Sequence, residues 1–236
     1  MVESATRDWN TRHRKGRSMI ALTVAHLMRV MNIKETRATV WQPHLSAAMQ
    51  RFEITTPLRA AAFIAQIGHE SGRLVFTREG WGPTAAQLRY EGRADLGNTE
   101  PGDGARFMGR GPMQITGRKN YRHLSDALGI DFVAQPHLLE RQDYGALSAG
   151  WFWHTGAGLN LGKRARTAVA AHGFNVGVNL NDLADTGDFE TVTLCINGGL
   201  NGYEDRLKLY DLARTVFVDP PSDQQNDLRF ERVVKP

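Results

Sequence analysis

Cysteine is nearly absent from this chain. Cys195 is the only one in 236 residues, so no intrachain disulfide can form and no cysteine cluster can hold zinc. A disulfide-stapled scaffold is thereby excluded. Long apolar runs are missing too. The stretch 19–31 is too short, and too interrupted by His26 and Arg29, for a membrane span, and it carries no small-residue cleavage site. No stable membrane insertion and no export signal of its own are expected. Runs of alternating β-branched residues are scarce, which argues against sheet. The eight histidines form no HExxH or comparable ligand spacing, so neither a metal nor a cofactor is expected.

What is present is the balance of a globular domain, with 41% hydrophobic and 23% charged residues. The net charge of +4 is concentrated at the start, where Arg7, Arg12, Arg14, Lys15 and Arg17 face only Glu3 and Asp8. This basic leader, 1–18, reads as a disordered extension, and 218–236, with Pro220, Pro221 and mixed charges, as a loose tail. Between them, 19–217 reads as one mainly α domain with little or no sheet. Helical periodicity predicts segments at 19–31, 42–52, 57–70, 85–90, 143–154, 164–172, 188–196 and 203–216. Another is predicted to follow Thr116 as its cap and to stop at Gly129. The third has the clearest start, with Thr56 as N-cap and Pro57 at the first helical position. From Gly72 to Pro112 the chain is rich in glycine, and a loop that long inside a compact domain is more often functional than idle.

Two glutamates flank the start of that loop. Glu70 ends an otherwise apolar helix, where unpaired carbonyls and apolar neighbours such as Ile67 and Phe63 disfavour a carboxylate; that suits a general acid. Glu79 follows in a polar loop beside Arg78, where solvent and a cation favour the ionised form; that suits a general base. Two solvated carboxylates would be the ordinary reading of such a pair. The apolar helix under Glu70 and the polar segment 113–121 weigh against it. There Gln114, Thr116 and Asn120 alternate with Met113, Ile115 and Tyr121, so one face can pack while the other offers neutral donors and acceptors to sugar and water. Trp81, two residues after Glu79, is a candidate for stacking on a sugar ring or for pinning the loop. Trp151 and Trp153 point to different faces of a helix, so at least one belongs to the core, and Cys195 reads as packing.

Three stretches then resemble glycoside hydrolase family 19: Ala62-Phe63-Ile64-Ala65-Gln66-Ile67-Gly68-His69-Glu70-Ser71; Glu79; and Gly109-Arg110-Gly111-Pro112-Met113-Gln114-Ile115-Thr116-Gly117-Arg118-Lys119-Asn120-Tyr121. Gly150-Trp151-Phe152-Trp153, Ile196-Asn197-Gly198-Gly199 and Gly202-Tyr203 through Arg206 to Tyr210 agree. The match is nearest to the bacteriophage endolysin branch and spans roughly 19 to 217. It implies a lysozyme-like fold, two helical lobes flanking a glycan cleft, and hydrolysis with inversion. By the same resemblance Glu70 matches the acid, Glu79 the base and Thr116 the hydroxyl that holds the water. Gln114, Asn120 and Asn197 match substrate-contacting amides, and Arg206, grouped with them at the glycan site, matches a basic residue in the C-terminal helix that supports the catalytic carboxylate. Inversion asks that the carboxyls stand ~6.5 to 9.5 Å apart, with room for water.

The chain departs from the pattern at 159–178, an apparent insertion that includes Lys163, Arg164 and Arg166, and no wall-binding module is recognisable. The stretch 105–123 carries Arg106, Arg110, Arg118, Lys119 and Arg122 and no acid, which suits attraction to an anionic cell envelope better than nucleic-acid binding. The resemblance implies a monomeric peptidoglycan glycosidase that cuts β-1,4 links between N-acetylmuramic acid and N-acetylglucosamine. It would accumulate in the host bacterial cytoplasm and reach the wall once a separate membrane-permeabilising protein acts. A chitinase, a lytic transglycosylase and a non-catalytic glycan-binding or phage structural protein are the competing readings.

Overall fold

The computed structural model describes residues 20–157, 159, 161–175 and 177–218. The basic leader and, apart from Val218, the tail expected at 218–236 lie outside them. Eleven α-helices are found among the described residues: α1 Val24–Met31, α2 Glu35–Arg51, α3 Pro57–Glu70, α4 Ala85–Leu88, α5 Asp103–Arg106, α6 Arg118–Leu128, α7 Gln142–Thr155, α8 Lys163–Ala171, α9 Leu180–Asp185, α10 Phe189–Asn197 and α11 Tyr203–Phe217. Two 3-10 turns lie at Ala94–Leu96 and Pro136–Glu140. No strand is present among the described residues, and pairing is limited to isolated bridges joining Arg78 to Arg110 and Arg110 to Ile115.

The helices form two groups. In the larger, α3 lies at the centre and packs chiefly on α11, with α9, α10 and α1 also against it, while α2 packs on α7. Every residue of α3 from Ala60 to Gly68 is buried, which is why its sequence is apolar on all faces. Thr56 accepts a hydrogen bond from the Arg59 amide and so caps the helix, a contact worth about 1 kcal/mol. Phe63 meets Trp153 edge to face at 5.3 Å, and Trp151 is buried as well, so both tryptophans belong to the core. Burial pushes the Cys195 thiol up to about 12, which leaves it an inert packing group.

The smaller group is the glycine-rich region. It joins α4 to α5 and the first 3-10 turn to α6, and the second 3-10 turn ties its end to α7. Phe107 and Tyr121 are its apolar centre, 5.2 Å apart, with the Arg118 guanidinium 4.8 Å from the Phe107 ring and paired with buried Asp103.

Three predicted boundaries differ. The helix expected to start at 42 begins at Glu35 and runs through Pro43, whose ring costs the carbonyl four residues back its hydrogen bond. Both Thr39 and Pro43 face solvent, so water can satisfy that carbonyl. Thr116 does not cap α6; Gly117 stands at that position, and the Thr116 hydroxyl donates instead to the Gln114 carbonyl. The helix expected from 19 starts at Val24, capped by Thr23.

Candidate active site

Glu70 is the last residue of α3, and its side chain is about one-fifth exposed. Its company is not only apolar, as the sequence suggested. Arg206, on the first turn of α11 and almost fully buried, donates from Nη2 to Glu70 Oε1 at 2.5 Å. The other arm of the same guanidinium donates to the side-chain Oε1 of Gln66. Gln66 in turn donates to the Thr193 hydroxyl at 2.8 Å, and Thr193 donates to the Phe189 carbonyl at 3.0 Å. A buried polar line thus runs from α10 through α3 to α11 and ends at the candidate acid. Arg206 is placed behind Glu70, not on a glycan-facing surface. Its grouping with substrate contacts is therefore corrected, since both Nη atoms are engaged inside the protein.

The neighbouring turn is pinned by a second cluster. Asp205 accepts from Arg73 at 2.5 Å and lies 2.7 Å from His69 Nδ1. The Arg73 hydrogen bond, outweighing partial burial, and then His69 hold the Asp205 carboxyl down at about 2. Gly202 lies directly against the His69 ring, which a Cβ there would meet at 2.4 Å. The loop 198–202 therefore rests beside Glu70. Asn197, at the end of α10, points its amide to the Asn201 carbonyl at 3.4 Å and sits at the entry to that loop.

Glu79 is held from the other group of helices. Its Oε1 accepts from the Gly109 amide at 2.6 Å and its Oε2 from the Gln87 amide at 3.1 Å, while its own N–H donates to the Gly109 carbonyl at 3.0 Å. Burial and then the nearby Glu79 charge push the Tyr90 phenol above its ordinary range. Arg78, expected to be the cation beside Glu79, pairs with Glu140 at 3.8 Å instead. Trp81 is half-buried and tilted against Tyr90 at 6.4 Å, so it shares the wall of the Glu79 loop.

Gly109 is where the hydrogen-bonding residues meet. A Cβ on it would stand 2.6 Å from Gln114 Oε1 and 3.2 Å from Thr116 Oγ1, so only a bare Cα lets both side chains approach the backbone that grips Glu79. Gln114 adopts φ +52, a left-handed turn, and its amide donates to the Gly111 carbonyl at 3.0 Å. Asn120, one turn along α6, donates to the Thr116 carbonyl at 2.8 Å. Glu79, Gln114, Thr116 and Asn120 are thus brought together, while Glu70 pairs with Arg206 on the larger group and Asn197 stands at the end of α10.

Much of the basic stretch is engaged internally. Arg110 is buried between Glu140, at 2.9 Å, and the Tyr121 hydroxyl; Arg118 pairs with Asp103; Arg106 donates to the Val133 and Ala134 carbonyls. Lys119 and Arg122 line a surface groove with His123. Among the described residues no cluster of His, Cys, Asp or Glu could hold a metal ion, and no helix is long and apolar enough to cross a membrane.

Sequence reasoning missed Gln66, Gln87, Tyr90 and Asp205. Gln66 was detectable as the lone amide in an apolar helix, one turn before Glu70 and so on its face. Gln87 was detectable as the last member of a Thr-x-x-Gln capping box with Thr84.

Residues 53–210 match the family model described as chitinase class I, glycosyl hydrolase family 19. A glycosyl hydrolase family 19 domain-containing protein of Haemophilus influenzae is 28% identical over 194 residues, covering 70% of this chain and 84% of that protein. An endochitinase of Avena sativa is 38% identical over 96 residues, 40% of either chain. Among solved structures, chitinase C from Streptomyces griseus superposes with a TM-score of 0.61 at 21% identity, over 84% of this chain and 76% of that one. A class IV chitinase from Zea mays gives 0.58 at 17% identity, over 83% and 92%. Identities this low speak for the shared fold alone.

Proposed function

Because the chain belongs to glycosyl hydrolase family 19 and is a glycoside hydrolase, we propose that it cuts the β-1,4 bonds between N-acetylmuramic acid and N-acetylglucosamine in peptidoglycan, with inversion. The observation that carries the chemistry is the unlike tethering of the two carboxyls. Glu70 is backed by a buried guanidinium, and Glu79 is held by the Gly109 backbone amide and the Gln87 side-chain amide.

In the proposed reaction Glu70, entering protonated, gives its proton to the glycosidic oxygen as the bond to the anomeric carbon breaks. Arg206 then stabilises the carboxylate left behind. Glu79 takes a proton from water on the opposite face of the ring, and that water attacks the anomeric carbon. The Thr116 hydroxyl donates to the Gln114 carbonyl, so its lone pairs are free to accept the second hydrogen of the water. Gln114, Asn120 and Asn197 offer amides to sugar hydroxyls and acetamides, and Trp81 offers an apolar face.

What supports peptidoglycan is that the motifs read most closely as the endolysin branch. Chitin is the second reading, favoured by the names of the solved structures that share the fold. The proposal places the enzyme as a monomer in the bacterial cytoplasm, reaching the anionic wall after a separate protein opens the membrane. Purified protein incubated with wall sacculi and with chitin oligomers decides between them, through product masses and reducing-end identity. Reducing N-acetylmuramic acid ends are expected; anhydro ends alone would remove the water-activating role of Glu79, and cleavage of chitin alone would remove peptidoglycan.

A further inference from the structure

Helix α8, Lys163–Ala171, lies in the stretch that the sequence suggested as an insertion, and it leaves a groove of ≈ 810 Å³ against α10. That volume is in the range of small-molecule and peptide sites. Ala165 and Val169 anchor the buried face of α8, while Ala168 and Ala171 turn toward Leu194 of α10 and make a floor of small apolar groups. The rim carries both signs. Lys163 and Arg164 stand at one end, with Glu190 2.7 Å from Arg164. That pair is exposed and therefore exchanges partners at little cost. His172 stands 2.8 Å from Asp188, which also accepts from the Thr191 amide at 2.9 Å, so this end of the groove is fixed in shape.

At its N-terminus α8 approaches the loop that leads from Asn197 toward His69 and Glu70. Gly162, the N-cap of α8, faces the Gly198 carbonyl, which a Cβ there would meet at 3.8 Å. Gly198 follows Asn197, and the loop from Gly198 to Gly202 ends on the His69 ring, next to Glu70. A substituent on a glycan bound at Glu70 therefore has a neighbouring surface of stated chemistry: methyl-sized apolar contacts below, cations and carboxylates around the edge.

We infer that the α8–α10 groove receives the peptide stem of the wall polymer, a short chain of alanine, acidic and diamino residues, and so selects peptide-bearing glycan over bare polysaccharide. This rests on the peptidoglycan reading. Alanine side chains match the floor, the stem's carboxylates match Lys163 and Arg164, and its free amine matches Glu190. Bare polysaccharide offers no amine to Glu190 and no peptide carboxylate to Lys163 and Arg164.

The test combines binding and turnover. Ala171 is exposed and lines the groove, so Ala171→Trp fills it without touching the core, and Lys163→Glu reverses one rim charge; thermal melts check that both fold. The tetrapeptide stem is titrated into Glu70→Gln protein by NMR. The rates of Ala171→Trp and Lys163→Glu protein with native Glu70 are measured on peptide-bearing strands, amidase-stripped strands and chitin oligomers. Stem peptide is expected to shift resonances of α8 and α10, and Ala171→Trp to abolish that binding. Both variants are expected to lose about tenfold in kcat/KM on peptide-bearing strands, equivalent to ~1.4 kcal/mol, with stripped strands unaffected. Absence of stem binding, or equal losses on stripped and peptide-bearing strands, overturns the inference while leaving peptidoglycan hydrolysis standing. Stem binding in the groove of a protein that cuts only chitin overturns the peptidoglycan reading instead.

Discussion

Nη2 of Arg206 stands 2.5 Å from Oε1 of Glu70, although 136 positions of sequence separate the two residues. The contact joins the end of α3 to the first turn of α11, the two helices that share the centre of the larger group. A planar guanidinium can serve Glu70 and Gln66 at once, which a lysine ammonium on a flexible stem does less well.

Replacing Arg206 by Met should therefore do two kinds of damage. It leaves the buried Gln66 oxygen without its donor and should cost about 1–3 kcal/mol in chemical unfolding. It also frees the Glu70 carboxyl from its anchor, and kcat should fall about 10²-fold while KM changes little. Arg206→Lys should recover stability more than rate. A rate unchanged in Arg206→Met would show that the pair is only structural.

Glu70→Gln and Glu79→Gln keep the size of each side chain and remove its proton chemistry. Each should lower kcat by about 10²–10⁴-fold. Circular dichroism and pull-down on wall sacculi should match the unaltered protein. Full lytic activity in folded Glu70→Gln protein would dispose of the acid assignment.

Gly109→Ala tests the convergence of Glu79, Gln114 and Thr116. The added Cβ would lie 2.6 Å from Gln114 Oε1, the end of a flexible side chain, so the fold should survive and the amide should swing aside. A fall in kcat/KM with a melting temperature within about 2 °C of the parent is expected. Parental kinetics would mean that Gln114 plays no part at the bond that is cut.

The Asp205 carboxyl titrates at about 2 in the folded protein against an ordinary 3.8, chiefly because Arg73 donates to it. Its contribution to stability is complete above pH ~4 and is lost as the pH falls toward 2, because the unfolded chain takes up the proton first. Asp205→Asn should flatten that part of the pH–stability curve, read by urea unfolding at pH 2 to 5. An unchanged slope would place the acid sensitivity elsewhere.

The extent to which sequence revealed the site follows from the range of the forces involved. Helix α3 was legible to the residue because its signals are local: Thr56, Pro57 and an unbroken apolar body. The start of α2 was not, since Glu35, Thr36 and Arg37 carry no apolar period and Pro43 advertises a break that water on the exposed face repairs. Glu70 and Glu79 were legible as a pair, and Arg206 as the support of a catalytic carboxylate through the family resemblance. Gly109 and Gln87 reach Glu79 through tertiary contacts, and adjacency in sequence pointed instead to Arg78. Thr116 looked like a cap because caps and water-binding hydroxyls use the same residue type; the fold gave the cap to Gly117.

The placement of Arg206 also dates the enzyme's birth on the ribosome. Glu70, Glu79 and the segment 109–121 leave the tunnel long before residue 206 is made. Until α11 emerges and docks on α3, Glu70 has no guanidinium behind it and α3, apolar on every side, lacks its largest packing partner. Under the proposed mechanism, synthesis that stops short of α11 yields a chain that has both glutamates but lacks Arg206, so full cutting power arrives only with α11.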